Sequence, residues 1–287
     1  MNLPPGVARA PHPTGGDALT LAATGGTAVI ALHGATVLSH VPTGGRDLIW
    51  LSPKATSAGG KPLRGGIPLC GPWFGPHGTY PQGPTHGLMR QRPWRLIRVE
   101  AISDGRLRAE LGIDLSPEPG LGWLHRAEAT VVITVGKRLA VELSVRNTGS
   151  TPFLSSGALH TYVAVTDVRS TRVEGLDDRE YIDFTAGGVR RRHGIGPVLL
   201  SGESARFFLS NAPVRVVDGE RTIAVRSWGH GATVVWNPWD RTAATMGDLG
   251  DGWPGFLCVE AANIPETAVP LAPHQSHHLG TELGIDS

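Results

Sequence analysis

Cysteine is scarce: Cys70 and Cys258 are the only two in 287 residues. Two thiols this far apart cannot build a disulfide framework, and nothing in their spacing resembles a zinc site. Two reduced, buried thiols in a cytoplasmic protein are expected instead. Excess charge is absent as well. The 26 basic and 25 acidic residues give a formal charge of +1, which leaves no long-range field for gathering nucleic acid or a membrane surface. Any recognition of an anion must therefore be local. No apolar run approaches the roughly 18 residues needed to span a bilayer, and the opening Met1-Asn-Leu-Pro-Pro-Gly lacks the apolar core of an export signal. Helical periodicity is missing too: no long stretch repeats apolar residues at i, i+3, i+4 and i+7, and the one short-helix candidate runs from Thr242 to Met246. Without a repeat, a low-complexity block or a dividing linker, one domain over residues 1–287 is expected.

Glycine and proline, at 39 and 23 residues, are abundant, and they favour many short strands joined by turns over a helical bundle. Period-two alternation recurs between those breaks. Leu107, Ala109, Leu111, Ile113 and Leu115 share one face, with Arg108, Glu110 and Asp114 on the other. Leu139, Val141, Leu143 and Val145 repeat the pattern against Glu142, Ser144 and Arg146, so both runs read as half-buried strands. The β-branched run from Ala129 to Val135 leads through a Gly136-Lys137 hairpin turn into the second of them. Further strands are expected at Thr222–Arg226, Thr233–Trp236, Phe256–Glu260 and Leu279–Leu283. These elements predict an all-β, antiparallel sandwich with long site-forming loops. An apolar content of 40% is enough for a sizeable core.

One loop-like stretch stands apart. From Arg64-Gly-Gly-Ile-Pro68 through Gly71-Pro-Trp-Phe-Gly-Pro76 to Thr85-His86-Gly-Leu-Met-Arg90, two arginines and a histidine sit among turn formers and rings. Trp73, Phe74 and the nearby Trp94 suggest a ring-rich wall beside cations, an arrangement suited to an anionic ligand with a hydrophobic face. Two other polar residues interrupt core-like runs: His160 in Gly157-Ala-Leu-His-Thr-Tyr-Val, and Glu260 in Leu257-Cys-Val-Glu-Ala-Ala-Asn263. Burial raises a carboxylate toward the range of a useful base, and histidine already titrates near that range. Each residue has a plainer reading. His160 can be a satisfied core histidine, Glu260 half of a structural ion pair, and Arg64 and Arg90 loop salt bridges or carbonyl caps. Trp73, Trp236 and Trp239 can be a stacking or apolar wall for a ligand, or core packing. His12 and the His277-His278 pair have no ligand neighbours at metal spacing.

The order of these segments resembles the glucose-6-phosphate 1-epimerase branch of the aldose 1-epimerase, or galactose mutarotase-like, family. The likeness is carried by His33-Gly-Ala-Thr-Val-Leu38, Arg64-Gly-Gly-Ile-Pro68, Gly71–Pro76, His86–Arg90 with Arg92-Pro-Trp-Arg95, and Asn147-Thr-Gly with Pro152-Phe153. It continues through Ala158-Leu-His-Thr-Tyr162, Val235-Trp-Asn-Pro-Trp239, Cys258-Val-Glu260 and Leu279-Gly-Thr-Glu-Leu283. The resemblance implies a single-domain β-supersandwich and a mutarotase that interconverts the α and β anomers of an aldohexose 6-phosphate through ring opening. It implies His160 as general acid toward the ring oxygen and Glu260 as general base toward the anomeric hydroxyl. His86, Arg64 and Arg90 would bind substrate. It also implies no metal or organic cofactor, and as partner only a small sugar or sugar phosphate, with the chain a monomer or weak dimer. Three positions depart from the family pattern: Ala205 stands where an aspartate that contributes to the site is common, Thr85 where Gln or Ala is usual, and Met89 where a small residue is common. The missing carboxylate changes which hydroxyls can be held. It keeps open a non-catalytic sugar-phosphate binder on the same fold, whereas a lyase-like sandwich with a tyrosine base finds little support in Tyr80, Tyr162 and Tyr181.

Overall fold

The computed structural model describes residues 2–286, and these form an antiparallel β-sandwich. One layer is a nine-stranded sheet. Its middle is the run Arg221–Trp228, Ser276–Ile285, Leu139–Asn147, Ala127–Val135 and Leu107–Leu115, neighbours in that order. The alternation read from sequence is realised here residue by residue: Ala127–Val135 is buried at every odd position and half-buried at every even one. The expected hairpin turn is one residue longer than Gly136-Lys137, closing with the Gly136 N–H donating to the Arg138 carbonyl at 3.1 Å. A four-stranded N-terminal sheet over residues 7–42 packs its Leu19, Leu21 and Ile30 into the same core as Leu111, Val131 and Val141. Each such side chain, fully buried, contributes about 1.5–3 kcal/mol.

The second layer is an eight-stranded sheet. Across it run Val189–Arg192, Glu180–Asp183, Ser204–Phe208, Ala232–Asn237, Phe256–Asn263, Gly157–Leu159 and Leu69–Cys70, with Tyr162–Ala164 also pairing to Phe256–Asn263. The central strand Phe256–Asn263 is buried along its whole length. Its Leu257, Val259 and Ala261 enter the main core shared with the nine-stranded sheet, so Cys258, Glu260 and Ala262 project from the opposite face. That opposite face, roofed by loops, is where the polar residues gather.

Among the described residues one α-helix is formed, Trp239–Thr245, three residues earlier at its start than the sequence suggests. The shift has a local cause. Asn237, fully buried, accepts the Trp239 N–H on Oδ1 at 2.9 Å and donates from Nδ2 to the Trp253 and Phe256 carbonyls, both at 2.9 Å. This one side chain ties the helix entry and the following 3₁₀ segment to the site sheet. Asn237→Ala leaves one buried and one half-buried carbonyl without that donor, and should destabilise the fold by about 2–4 kcal/mol. Urea denaturation checks this; a loss below about 0.5 kcal/mol would show that the tie is dispensable.

Candidate active site

Strand register brings the two interrupting residues together. Leu159 pairs with Ala261 and Tyr162 with Cys258, so His160 lies directly opposite Glu260 although their two short strands leave a gap in the ladder there. At the gap the Thr161 N–H turns back to the Leu159 carbonyl and the His160 N–H reaches the Pro68 carbonyl. Nε2 of His160 sits 3.5 Å from Oε1 of Glu260, with the residues 7% and 2% exposed. The imidazole stacks on the Tyr162 ring at 4.9 Å and 13°.

Burial governs how this pair titrates. It holds Glu260 well above the usual carboxylate range, with the charge of Arg90 opposing. It also holds His160 well below the usual imidazole value, a trend reinforced by His86, Arg90 and Arg64. Burial thus favours the pair as a carboxylic acid facing a neutral imidazole. That state carries the same number of protons as a carboxylate facing an imidazolium, so one proton is shared between two positions. Nδ1 of His160 and Oε2 of Glu260 are buried without a hydrogen-bond partner among the described residues. Among the described residues the group at ion-pair distance from Glu260 is His160 rather than an arginine.

The glycine-rich segment supplies the surroundings. Arg64 is held by Tyr162, whose hydroxyl accepts from Nη1 at 3.2 Å, and by Asp248, whose Oδ1 is 3.2 Å from Nε. Burial works against its charge, but the Tyr162 oxygen and the Asp248 carboxylate outweigh it and hold the guanidinium above its ordinary value. Behind it Gly66 has a positive φ of 78°, and a Cβ there would meet the Val37 carbonyl at 2.5 Å, so the chain can turn this tightly only with glycine. Arg90 donates from Nη2 to the Thr85 carbonyl at 2.8 Å. Each arginine thus makes one of the plain loop contacts considered from sequence, and both still line the cavity.

His86 has a positive φ of 65°, sparsely populated for a side-chain-bearing residue. The conformation is enforced: its N–H reaches the Gly75 carbonyl, its carbonyl accepts the Gly71 N–H, and Gly87 packs so close to Gly71 that a Cβ would lie 2.1 Å from the Gly71 oxygen. Its Nδ1 accepts the Gly75 N–H at 3.2 Å. Burial, together with Arg90 and Arg64, brings its pKa down to about 3, so the ring is neutral and the proton is on Nε2. His86 is a hydrogen-bond donor whose ring meets that of His160 edge to face at 5.8 Å.

These residues enclose a cavity of about 350 Å³. Arg64, His86, Arg90, His160 and Glu260 all line it, so every site residue expected from sequence is brought to one place. The ring wall is built differently from expectation. Phe74 lines the cavity, joined by Phe207 and Trp236, but Trp94 is buried in the core with its indole donating to the Met89 carbonyl. Trp73 turns its indole to the Pro84 carbonyl and Trp239 packs on Trp253 at 4.8 Å. Tyr162 and Asp248 orient Arg64, a role that the sequence pattern does not signal: Tyr162 reads as part of the His160 segment, and Asp248 lies in a loop without a distinguishing pattern. Cys258 projects beside Glu260, and the donor atoms of His160, Cys258 and Glu260 lie within 4.8 Å of one another. Burial pushes the Cys258 thiol well up, and nearby Glu260 adds to the shift; both oppose the thiolate that a soft cation would need.

A family model described as aldose 1-epimerase matches residues 17–284. The chain belongs to the aldose 1-epimerase family. It is 34% identical over 263 residues to an Escherichia coli (strain K12) protein named "Putative glucose-6-phosphate 1-epimerase", an alignment covering 90% of this chain and 86% of that one. A protein of the same name from Cenchrus ciliaris is 33% identical over 259 residues, covering 86% and 77%. Among solved structures, one described as a "putative mutarotase" from Salmonella typhimurium superposes with a TM-score of 0.90 at 28% identity, covering 100% of this chain and 96% of that one. The antiparallel β-sandwich read from the strand pattern, and the β-supersandwich that the resemblance implied, are thus the fold shared with that structure.

The titration of the two imidazoles is open to direct measurement. Unfolded, His86 and His160 titrate near the ordinary value of 6.5, whereas folded they stay neutral to much lower pH. The unfolded chain therefore takes up more protons as pH falls through that value, and these residues weaken folding toward acid and cease to do so above it. Nitrogen-detected NMR of labelled histidines should show both rings neutral from pH 8 to pH 5, with His86 as the Nε2–H tautomer. Titration of either ring near pH 6.5 would contradict the burial argument.

Proposed function

We propose that this protein is a mutarotase that interconverts the α and β anomers of an aldohexose 6-phosphate, with glucose 6-phosphate the parent substrate. The observation that carries the proposal is the cross-strand pair: His160 and Glu260, both buried and 3.5 Å apart, on a cavity that two arginines also line. The two atoms that exchange protons in mutarotation, the anomeric oxygen O1 and the ring oxygen O5, are bonded to the same carbon. An acid and a base on adjacent strands match that spacing.

In the productive state the pair is a carboxylate and an imidazolium. Glu260 takes the proton of O1 as the C1–O5 bond breaks and the C1 carbonyl forms, and His160 delivers its proton to O5. The pair is then a carboxylic acid and a neutral imidazole, the form that burial favours. Rotation about C1–C2 presents the other face of the aldehyde. O5 then attacks C1, Glu260 returns its proton to O1, and His160 recovers the O5 proton. His86 donates from Nε2 to a sugar oxygen. Arg64 and Arg90 receive the phosphate, whose negative charge offsets the field that lowers His160, and so helps the imidazole take its proton. All of these steps run on groups of the chain and sugar.

Anomer exchange followed by NMR tests the proposal. His160→Ala and Glu260→Gln should each lower kcat on glucose 6-phosphate about 10²–10⁴-fold while the folded spectrum is retained. Wild-type protein that binds sugar phosphate without ever exceeding the buffer rate would establish the non-catalytic alternative. Arg64→Ala and Arg90→Ala bear on the phosphate. Each removes a charge-assisted contact of about 1.5–3 kcal/mol, so KM for glucose 6-phosphate should rise about 10- to 100-fold, with little change for unphosphorylated glucose. An equal rise for both sugars would mean that the arginines do not read the phosphate.

A further inference from the structure

The sheet register fixes what lies on each side of the proton-transfer pair. Glu260 is opposite His160 on one side and opposite Val234 on the other, and Val234 is in turn opposite Phe207. The row therefore reads His160, Glu260, Val234, Phe207 across the sheet. The next row on the same face reads Tyr162, Cys258, Trp236, Ala205. Both arginines are on the His160 side: Arg64 is bound to Tyr162, and Arg90 belongs to the segment whose His86 ring meets His160. The polar half of the cavity and the apolar half are thus separated by the Glu260 strand.

This polarity orients a pyranose. C1 lies at the pair, and its two ring neighbours are O5 and C2. With O5 toward His160, C5 and the phosphate-bearing C6 follow toward Arg64 and Arg90, as their charges require. C2 must then point the other way, toward Val234, Phe207, Ala205 and Trp236, all of which line the cavity. Those four side chains contain one polar atom, the Trp236 indole nitrogen, and it can only donate. A 2-hydroxyl directed there finds no acceptor for its proton among them, and so binds at a cost. Ala205, ending at a methyl, leaves room beside Phe207 in the cavity of about 350 Å³ for a substituent of four non-hydrogen atoms.

On the mutarotase reading above, we propose that this half of the cavity is a subsite for an apolar-tipped C2 substituent, and that the preferred substrate is a 2-acetamido-2-deoxyaldohexose 6-phosphate. The acetyl methyl packs against Val234 and Phe207, the acetyl carbonyl accepts from the Trp236 indole, and the amide N–H is left toward the cavity mouth.

Anomer exchange on glucose 6-phosphate, 2-deoxyglucose 6-phosphate and N-acetylglucosamine 6-phosphate decides it. The 2-acetamido sugar should have a kcat/KM about 10-fold above glucose 6-phosphate, and the 2-deoxy sugar should at least equal glucose 6-phosphate. Val234→Thr adds a hydroxyl at nearly constant shape beside Glu260, and should shift the ratio of glucose to 2-deoxyglucose 6-phosphate about 10-fold toward glucose. Should that variant fail to fold, Ala205→Asp, at a half-buried position, should lower the ratio of 2-acetamido sugar to glucose 6-phosphate by a similar factor. Glucose 6-phosphate as clearly the best of the three, a 2-acetamido sugar poorer than the 2-deoxy sugar, or ratios unmoved by the folded variant would each overturn the subsite while leaving the mutarotase standing. No acceleration on any of the three removes the mutarotase reading and the subsite with it.

Discussion

Glu260 is a carboxylate in the middle of a strand with no exposed residue, and its nearest titratable neighbour is an imidazole rather than a cation held permanently charged. Placing an ionisable group there opposes folding, because the charged form is stripped of water and the neutral form must keep its proton against solution. The arrangement persists because the surrounding sheet is over-determined. Leu257, Val259 and Ala261 lock the strand into the main core from the other face, and strands on both sides fix its register. A one-residue slip would turn those apolar side chains outward and Glu260 into the core. The same hydrophobic pattern that stabilises the sandwich thus dictates where the carboxylate goes.

The loop segment answers a second requirement. A site on a flat sheet needs groups that descend onto it from above, and these must be held without a ladder. Here tight turns do that work: His86 is pinned in a strained conformation by contacts to Gly71 and Gly75, and Arg64 is stretched between Tyr162 and Asp248. Rigidity of this kind limits the reorganisation needed when a sugar binds. It also fixes protonation, since the Gly75 N–H decides which nitrogen of His86 carries the hydrogen.

Much of this was legible in the sequence, and unevenly so. Strands with one wet face, such as Ala127–Val135, announce themselves by alternation. Parity alone also says that Cys258 and Glu260 share a face opposite Val259. What a sequence cannot reveal is the partner strand: that His160 meets Glu260, and Val234 its other side, is a matter of register between segments about 100 and 26 residues away. The ring wall failed for a similar reason. Trp73, Phe74 and Trp94 are close in the chain, but the turns between them send Phe74 to the cavity and Trp94 to the core, while Phe207 and Trp236 arrive from distant strands. Asp248 could not have been found by pattern, since an acidic residue in a polar loop is unremarkable until its arginine is located.

The proton count of the pair ties these threads together. Burial favours the carboxylic acid and neutral imidazole, which complement an open-chain aldehyde, while the closed sugar reacts with the carboxylate and imidazolium. Because the two forms differ only in where one proton resides, neither requires exchange with solvent, and the local field bears on the balance between them. Arg64 and Arg90 supply such a field on one side of Glu260, and it disfavours the imidazolium when no anion is bound. An anion seated on them relieves that pressure. The cations of the glycine-rich segment then set the charge state of the acid as well as the position of the substrate, and the apolar half of the cavity, contributing no charge, leaves that control undisturbed.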